Sequence, residues 1–345
     1  MKRTTVLMIL CLIGTTAKAQ ISRQIFDFEF EGVLLNGVLN LPEAQEPKGI
    51  VLLVHGSGET NAVAQEWYLD IRKTFVKAGY GMYMWDKMGC GKSEGTFNYN
   101  QSVHNSASEA IAAINTLKEK KIPGSDHIGL YGGSRASWIN PIVISQYKDI
   151  KFWISVSGVD DKENFGYLLE QNLRIDGVAE DSIKLFVEEW KAAVKIHHAG
   201  GSFESAQHAT SNLRKNAFWR RFNGSPMTEE DYYNYQKTFM KEELDEETGL
   251  QVVVKDFESI LTNINCPVLA LFGERDMNVD WKKTKALYEK TLAQHTDLAI
   301  KSFPNCNHNI LTCETGGFYE FQDNDLAYKR CNGFLEAINE WLNER

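Results

Sequence analysis

Apolar residues along this chain come in short runs separated by longer amphipathic stretches. Ile50 to Val54, Gly81 to Trp85, His127 to Tyr131, Phe152 to Val156, Val268 to Phe272 and Leu298 to Phe303 are each five or six residues long. Runs of that length with little polar alternation predict strands buried on both faces. Helical periods lie between them: Glu66 to Ala78, Ser106 to Glu119 with Ala110, Ile111, Ile114 and Leu117 on one face, and Arg135 to Gln146. Strand, loop and helix in alternation predict a mostly parallel sheet with helices on both faces, the α/β class. Gln24 to Leu41 alternates instead, and predicts two antiparallel strands that turn at Glu31-Gly32.

The alternation stops between about Asp161 and Asn263. This stretch is charged, aromatic and helical. Ser182 to Lys195 carries Ile183, Phe186, Val187 and Trp190 on one side. Thr228 to Leu244 opens with Thr228-Glu229-Glu230-Asp231, a capping hydroxyl followed by acids. The expected organisation is a leader at 1–19, a core built from 20–160 and 264–345, and a helical cap inserted at 161–263.

Three strand ends carry candidate chemistry. Tyr131-Gly132-Gly133-Ser134-Arg135-Ala136-Ser137 follows a strand and opens a helix. A serine on so tight a turn, flanked by small residues, presents its hydroxyl above a sheet. A side chain at Gly132 would meet the neighbouring strand or helix. Asp276 follows the strand Val268 to Phe272, and His308 follows Leu298 to Phe303. A serine hydroxyl needs a base within reach, and the base needs an orienting carboxylate. Ser134, His308 and Asp276 supply those types in the order serine, acid, histidine. Asp280 is an alternative acid, as are Asp160 and Asp161 after the preceding strand. His104, His127, His197, His198, His208 and His295 lack the strand-end setting of a base.

Taken together, these motifs resemble the α/β-hydrolase superfamily. The resemblance extends to His55-Gly56-Ser57-Gly58 after the strand Ile50 to Val54, which is similar to that family's oxyanion loop. It also covers Trp85-Asp86-Lys87-Met88-Gly89-Cys90-Gly91-Lys92-Ser93-Glu94-Gly95, with lysine where arginine is common, and Ala136 stands where the serine turn usually has glycine. The resemblance implies an oxyanion hole made by the backbone N–H groups of Ser57 and Arg135, with His55 bracing its own loop. It is closest to exported bacterial esterases and dienelactone-hydrolase-like enzymes, and shades into serine aminopeptidases and acyl-peptide hydrolases. A carboxylic ester is the expected substrate, with a short peptide as the alternative. A binding module with a vestigial triad is a further alternative. No cofactor is expected.

Charge and leader narrow this further. Lys2 and Arg3 precede the apolar run Val6 to Ile13, and Ala17-Lys18-Ala19 offers a cleavage site. The pattern predicts a secretory signal and an exported protein, periplasmic or secreted. With the leader go three basic residues and no acid, so the formal net charge moves from −9 to −12. Such a chain repels nucleic acid. No later run is long and apolar enough to cross a bilayer. Gly91-Lys92-Ser93 has the ending of a phosphate loop, but Asp86 stands where that loop needs glycine. Cys90, Cys266, Cys306, Cys313 and Cys331 remain after the leader. Cys306 with Cys313, or Cys313 with Cys331, are the bridges considered, beside a fully reduced set. A zinc site at Cys306, His308 and Cys313 lacks a fourth ligand and is not expected.

Overall fold

The computed structural model describes residues 21–239 and 243–345. The leader expected at 1–19 lies outside the described residues. Eight strands form one sheet: β1 (Gln24–Ile25), β2 (Gly37–Asn40), β3 (Ile50–Val54), β4 (Gly81–Trp85), β5 (Ile128–Gly133), β6 (Ile150–Val156), β7 (Val268–Gly273) and β8 (Leu298–Phe303). Their order across the sheet is β1-β2-β4-β3-β5-β6-β7-β8. β2 runs antiparallel to both of its neighbours, and from β4 to β8 every pair is parallel. The expected antiparallel ribbon is present but interrupted. β1 pairs with β2, and Phe28–Phe30 pairs with Val33–Leu35 around Glu31 and Gly32, both at positive φ.

Side chains alternate through the sheet as the runs require. In β3, Ile50, Leu52 and Val54 pack on one face while Val51 and Leu53 pack on the other. The first face is covered by α2 (Val103–Glu119) and α3 (Ala136–Gln146), together with α9 (Phe257–Thr262) and α10 (Trp281–Thr291). The opposite face is covered by α1 (Leu69–Lys77) and α12 (Phe334–Asn343), through Ile71, Phe75, Phe334, Ile338 and Trp341. Each such buried side chain contributes about 1.5–3 kcal/mol, so the two faces together hold the sheet rigid beneath its loops.

The chain between β6 and β7 carries α4 (Phe165–Ile175), α5 (Glu180–His198), α6 (Phe203–Ala209), α7 (Ala217–Asn223) and α8 (Glu229–Phe239). Leu168, Leu169, Leu173, Ile183, Trp190 and Phe218 give this segment an apolar cluster of its own. A short helix, α11 (Glu320–Asp323), follows β8.

Several element ends differ from the pattern. α1 begins at Leu69 rather than Glu66, because Glu66 and Tyr68 adopt left-handed φ. α2 begins three residues early, where Ser102 Oγ accepts the N–H of Asn105. Thr228 caps α8 as expected, accepting the N–H of Asp231. That helix does not reach Leu244, however: Glu243–Leu244 pairs antiparallel with Gln251–Val252. Among the described residues no helix is long and apolar enough to cross a membrane.

Candidate active site

The connection from β3 leads one way across the sheet, and that from β5 leads the other. Such a reversal opens a crevice at the carboxyl ends of the two strands. The loop His55–Gly58 leaves β3 there, and Ser134 leaves β5. A Cβ built on Gly56 would stand 3.6 Å from the Cβ of Ser134, so the two loops touch.

Ser134 sits at φ 55°, a left-handed conformation for a residue with a side chain. Conformations of that kind cost about 1–3 kcal/mol and persist where the surroundings enforce them. The surroundings here are explicit. Ser134 N–H donates to Val156 O at 3.0 Å, and its own carbonyl accepts from Ser137 N–H at 2.8 Å and Ser137 Oγ at 2.6 Å. Ser137 Oγ in turn accepts the N–H of Val159 at 2.9 Å. Gly132 is required by space. A Cβ on it would lie 2.5 Å from Ala136 Cβ and 2.9 Å from Val54 O. The methyl of Ala136, where the family's turn usually has glycine, therefore fits only because Gly132 has no side chain. The guanidinium of Arg135 turns away to Ser106 Oγ and Gln101 O, which leaves its backbone at the start of α3.

His308 and Asp276 meet on the same rim. His308 Nδ1 lies 2.7 Å from Asp276 Oδ2. The other oxygen of Asp276 accepts the N–H groups of Asn278 and Val279, both at 2.9 Å. Burial works to lower the His308 pKa, but the charge of Asp276 and its hydrogen bond outweigh it and hold the imidazole above its ordinary value. The acid and histidine loops are in backbone contact: Arg275 N–H donates to Cys306 O at 2.9 Å, and a Cβ on Gly273 would fall 2.3 Å from Asn307 O. The alternative acids are engaged elsewhere. Asp280 caps α10 by accepting from Lys282 and Lys283 N–H, and Asp160 pairs with Lys283. Asp161 pairs with Lys162.

Two bridges considered from the sequence are corrected. Cys306 pairs with Cys331, and Cys313 is free and buried. The tail at 329–331 returns beside the histidine loop, where Leu311 bridges to Arg330. That long-range return decides the partner, and local spacing does not reveal it.

The glycine-rich turn after β4 has a physical role that spacing alone did not show. Lys87 Nζ donates to Gly56 O at 2.6 Å and to Gly58 O at 2.8 Å. It thus ties down both carbonyls flanking Ser57. Burial, then repulsion from Arg135, lowers its pKa to about 8. His55 is buried beside it, with Nε2 2.6 Å from Trp85 O. Burial and the charge of Lys87 lower the His55 pKa to about 3. It is a neutral ring that donates to Trp85, and it braces the loop.

Ser134 and His308 line one cavity of about 600 Å3. Gly56, Ser57 and Gly58 form part of its floor. Phe165, Leu168 and Phe222 reach it from the helical segment after β6, and Phe318 from the segment after β8. Arg221 of that helical segment pairs with Asp323 and stacks on Tyr319. Glu163, half-buried at the start of the same segment, also lines the cavity. Nothing in the sequence distinguishes it from the chain's many other acids.

Comparison with known proteins agrees with the architecture. The family model described as serine aminopeptidase, S33, matches residues 45–159, and that of the dienelactone hydrolase family matches residues 253–339. The chain is similar in structure to the Pyrococcus furiosus esterase Pf2001, with 15% identity over 94% of this chain and 93% of that one, at a TM-score of 0.51. It is similar to a thermostable carboxyl esterase of Bacillus coagulans, with 16% identity over 94% and 99% of the two chains and a TM-score of 0.53. It is also similar to Est1E of Butyrivibrio proteoclasticus bound to ferulic acid, with 15% identity over 92% and 96% and a TM-score of 0.51. No curated protein matches the chain. At these identities the structural likenesses establish the fold. With the two family models on either side of the helical segment, they define an α/β-hydrolase. The chain has the α/β-hydrolase fold and is a hydrolytic enzyme.

Proposed function

We propose that this enzyme cleaves carboxylic esters through an acyl-enzyme, with Ser134 as nucleophile, His308 as base and Asp276 as the orienting acid. The observation that carries the reading is the Asp276–His308 hydrogen bond on the rim of the cavity that also holds the strained Ser134. With Nδ1–H donated to Asp276, Nε2 is the nitrogen left to take the serine proton. Attack by Ser134 Oγ on the ester carbonyl then forms a tetrahedral oxyanion. The N–H groups of Ser57 and Arg135 receive that charge, and each is worth about 2.7–4 kcal/mol in the transition state. His308 returns its proton to the departing alcohol. Water, activated by the same imidazole, releases the acid.

The helical segment after β6 acts as a cap that walls the acyl pocket through Phe165 and Phe222. We also infer that the enzyme works outside the cytoplasm. The leader pattern at 1–19 and the Cys306–Cys331 bridge both support this. Hydrolysis of p-nitrophenyl butyrate by the purified enzyme, lost in Ser134→Ala, tests the assignment. A Ser134→Ala protein with undiminished turnover overturns it, and cleavage of aminoacyl anilides without cleavage of esters would replace the ester with a peptide.

A further inference from the structure

Helix α4, at the root of the helical segment, holds the loop that carries Asp276. Side chains of the helix and its N-cap donate to three successive carbonyls of that loop. Tyr167 Oη donates to Asp276 O at 3.2 Å, Asn172 Nδ2 to Met277 O at 3.3 Å, and Asn164 Nδ2 to Asn278 O at 2.6 Å. Positions 164, 168 and 172 share one face of a helix, and 167 lies beside them, so a single surface of α4 meets the loop. Asn164 is the N-cap of this helix, where an asparagine ordinarily accepts an N–H of the first turn. Its side chain makes no capping bond and is spent on the loop. Asn172 is buried, and its Oδ1 accepts the N–H of Phe318 at 2.7 Å, which fixes the amide with Nδ2 toward the Met277 and Leu168 carbonyls. Burial, and then the charges of Asp280 and Asp276, push the Tyr167 phenol well above its ordinary pKa, so it keeps the proton it donates.

The peptide units held in this way are the ones that grip the acid. Asp276 Oδ1 accepts the N–H groups of Asn278 and Val279, each at 2.9 Å. The N–H of Asn278 shares its peptide plane with Met277 O, and that of Val279 shares its plane with Asn278 O. A peptide unit is rigid and planar, so holding the carbonyl at one end aims the N–H at the other. Hydrogen bonds linked in such a chain also polarise one another. The helical segment has fastenings of a different kind elsewhere. Arg221 pairs with Asp323 and stacks on Tyr319, and the rings of Phe222 and Phe318 meet at 5.2 Å. Those contacts attach the segment without touching the acid loop.

We propose that Asn164, Tyr167 and Asn172 are positioning residues, which aim the Asp276 carboxylate at His308 through the peptide units of the acid loop. The inference rests on the reading of Asp276 as the acid that orients the base. The root of the cap is then part of the catalytic scaffold as well as a wall of the cavity. These side chains take no part in bond making or breaking, and their effect on the reaction passes through Asp276.

The test uses two readouts on the purified enzyme. The first is a mutant cycle in kcat on p-nitrophenyl butyrate, between the pair Asn164→Ala with Tyr167→Phe and the single change Asp276→Asn. Asp276→Asn alone should lower kcat by about ten thousandfold, and the α4 pair alone by about tenfold or more. Added to Asp276→Asn, the α4 pair should lower kcat by less than about twofold further, because its route is already cut. The second readout needs no turnover: the His308 titration is followed by NMR in Ser134→Ala. The α4 pair should lower the raised His308 pKa toward its value in Asp276→Asn. Arg221→Ala, which loosens the cap away from the acid loop, should leave it unchanged. Should the pair not fold, Tyr167→Phe, which removes a single oxygen, is read in its place and should shift both readouts in the same direction. Fully additive losses of kcat, a His308 titration that the α4 variants leave untouched, or an equal shift in Arg221→Ala would overturn the proposal while leaving the triad standing. Failure of the triad reading, which would take the proposal with it, shows separately as undiminished kcat in Asp276→Asn.

Discussion

Lys87→Met separates stability from catalysis in a way the structure makes quantitative. Lys87 Nζ is buried and donates to Gly56 O and Gly58 O. Methionine keeps the length of the side chain and removes both bonds. The two carbonyls are only partly buried, so leaving them unpaired costs toward the lower end of about 1–3 kcal/mol each. Against this stands the cost of the charge. A pKa lowered from 10.5 to about 8 means that the folded state disfavours the ammonium, by about 3 kcal/mol. The two effects nearly cancel, so urea denaturation at pH 7 should show a change of no more than about 2 kcal/mol. Catalysis has no such compensation. Ser57 lies between the two carbonyls, and in the proposed mechanism they hold its N–H toward the oxyanion. A displaced oxyanion donor should lower kcat by about a hundredfold. The pH dependence gives a second check. Between about pH 8 and 10.5 the unfolded chain holds the Lys87 proton more tightly than the folded one. The stability of the wild type therefore gains with rising pH across that window, and the variant lacks this gain. A Lys87→Met enzyme with kcat/KM within about threefold of wild type would refute the argument that this lysine sets the loop.

Other expectations follow from the same contacts. Gly132→Ala should destabilise the enzyme by about 2 kcal/mol or more through overpacking, and adding Ala136→Gly should recover only part of this in urea denaturation, because the contact with Val54 O remains. The His308 imidazole, followed by NMR in Ser134→Ala, should titrate above 6.5. Asp276→Asn should drop it below that value, since burial then acts unopposed, and a His308 that ignores Asp276 would contradict the pairing. Kinetically, kcat/KM should fall as the medium is acidified through that raised pKa, because the base must be neutral to accept the serine proton. Reduction of Cys306–Cys331, which spans 25 residues, should cost about 3–4 kcal/mol in the chain-entropy account. Calorimetry with and without reductant measures this, and Cys313→Ser should leave the difference unchanged.

The fold was legible because each strand is a short apolar run and each covering helix shows one apolar stripe. Ile50 to Val54 and Val268 to Phe272 state their burial on both faces outright. Element ends were less legible, since they depend on single backbone choices such as the left-handed Tyr68 or the Ser102 cap. At the candidate site, strand-end placement singled out Ser134, Asp276 and His308, and the structure brings Asp276 to His308 while Asp280 caps a helix. The Cys306–Cys331 bridge was not legible, because it depends on where a distant tail returns. Lys87 stood in view as a departure from a motif, but its partners are carbonyls and leave no mark in sequence. Glu163 was hidden for a similar reason: what sets it apart is one carboxylate oxygen without a hydrogen-bond partner, which only packing reveals.

The central claim, that Ser134 is activated by His308 beside a formed oxyanion site, is tested most directly by a fluorophosphonate probe. Mass spectrometry of the treated protein should find one adduct, on the peptide bearing Ser134, and His308→Ala should slow its formation by orders of magnitude. An unmodified protein, or an adduct carried by Ser57 or another serine with Ser134 untouched, would contradict the account.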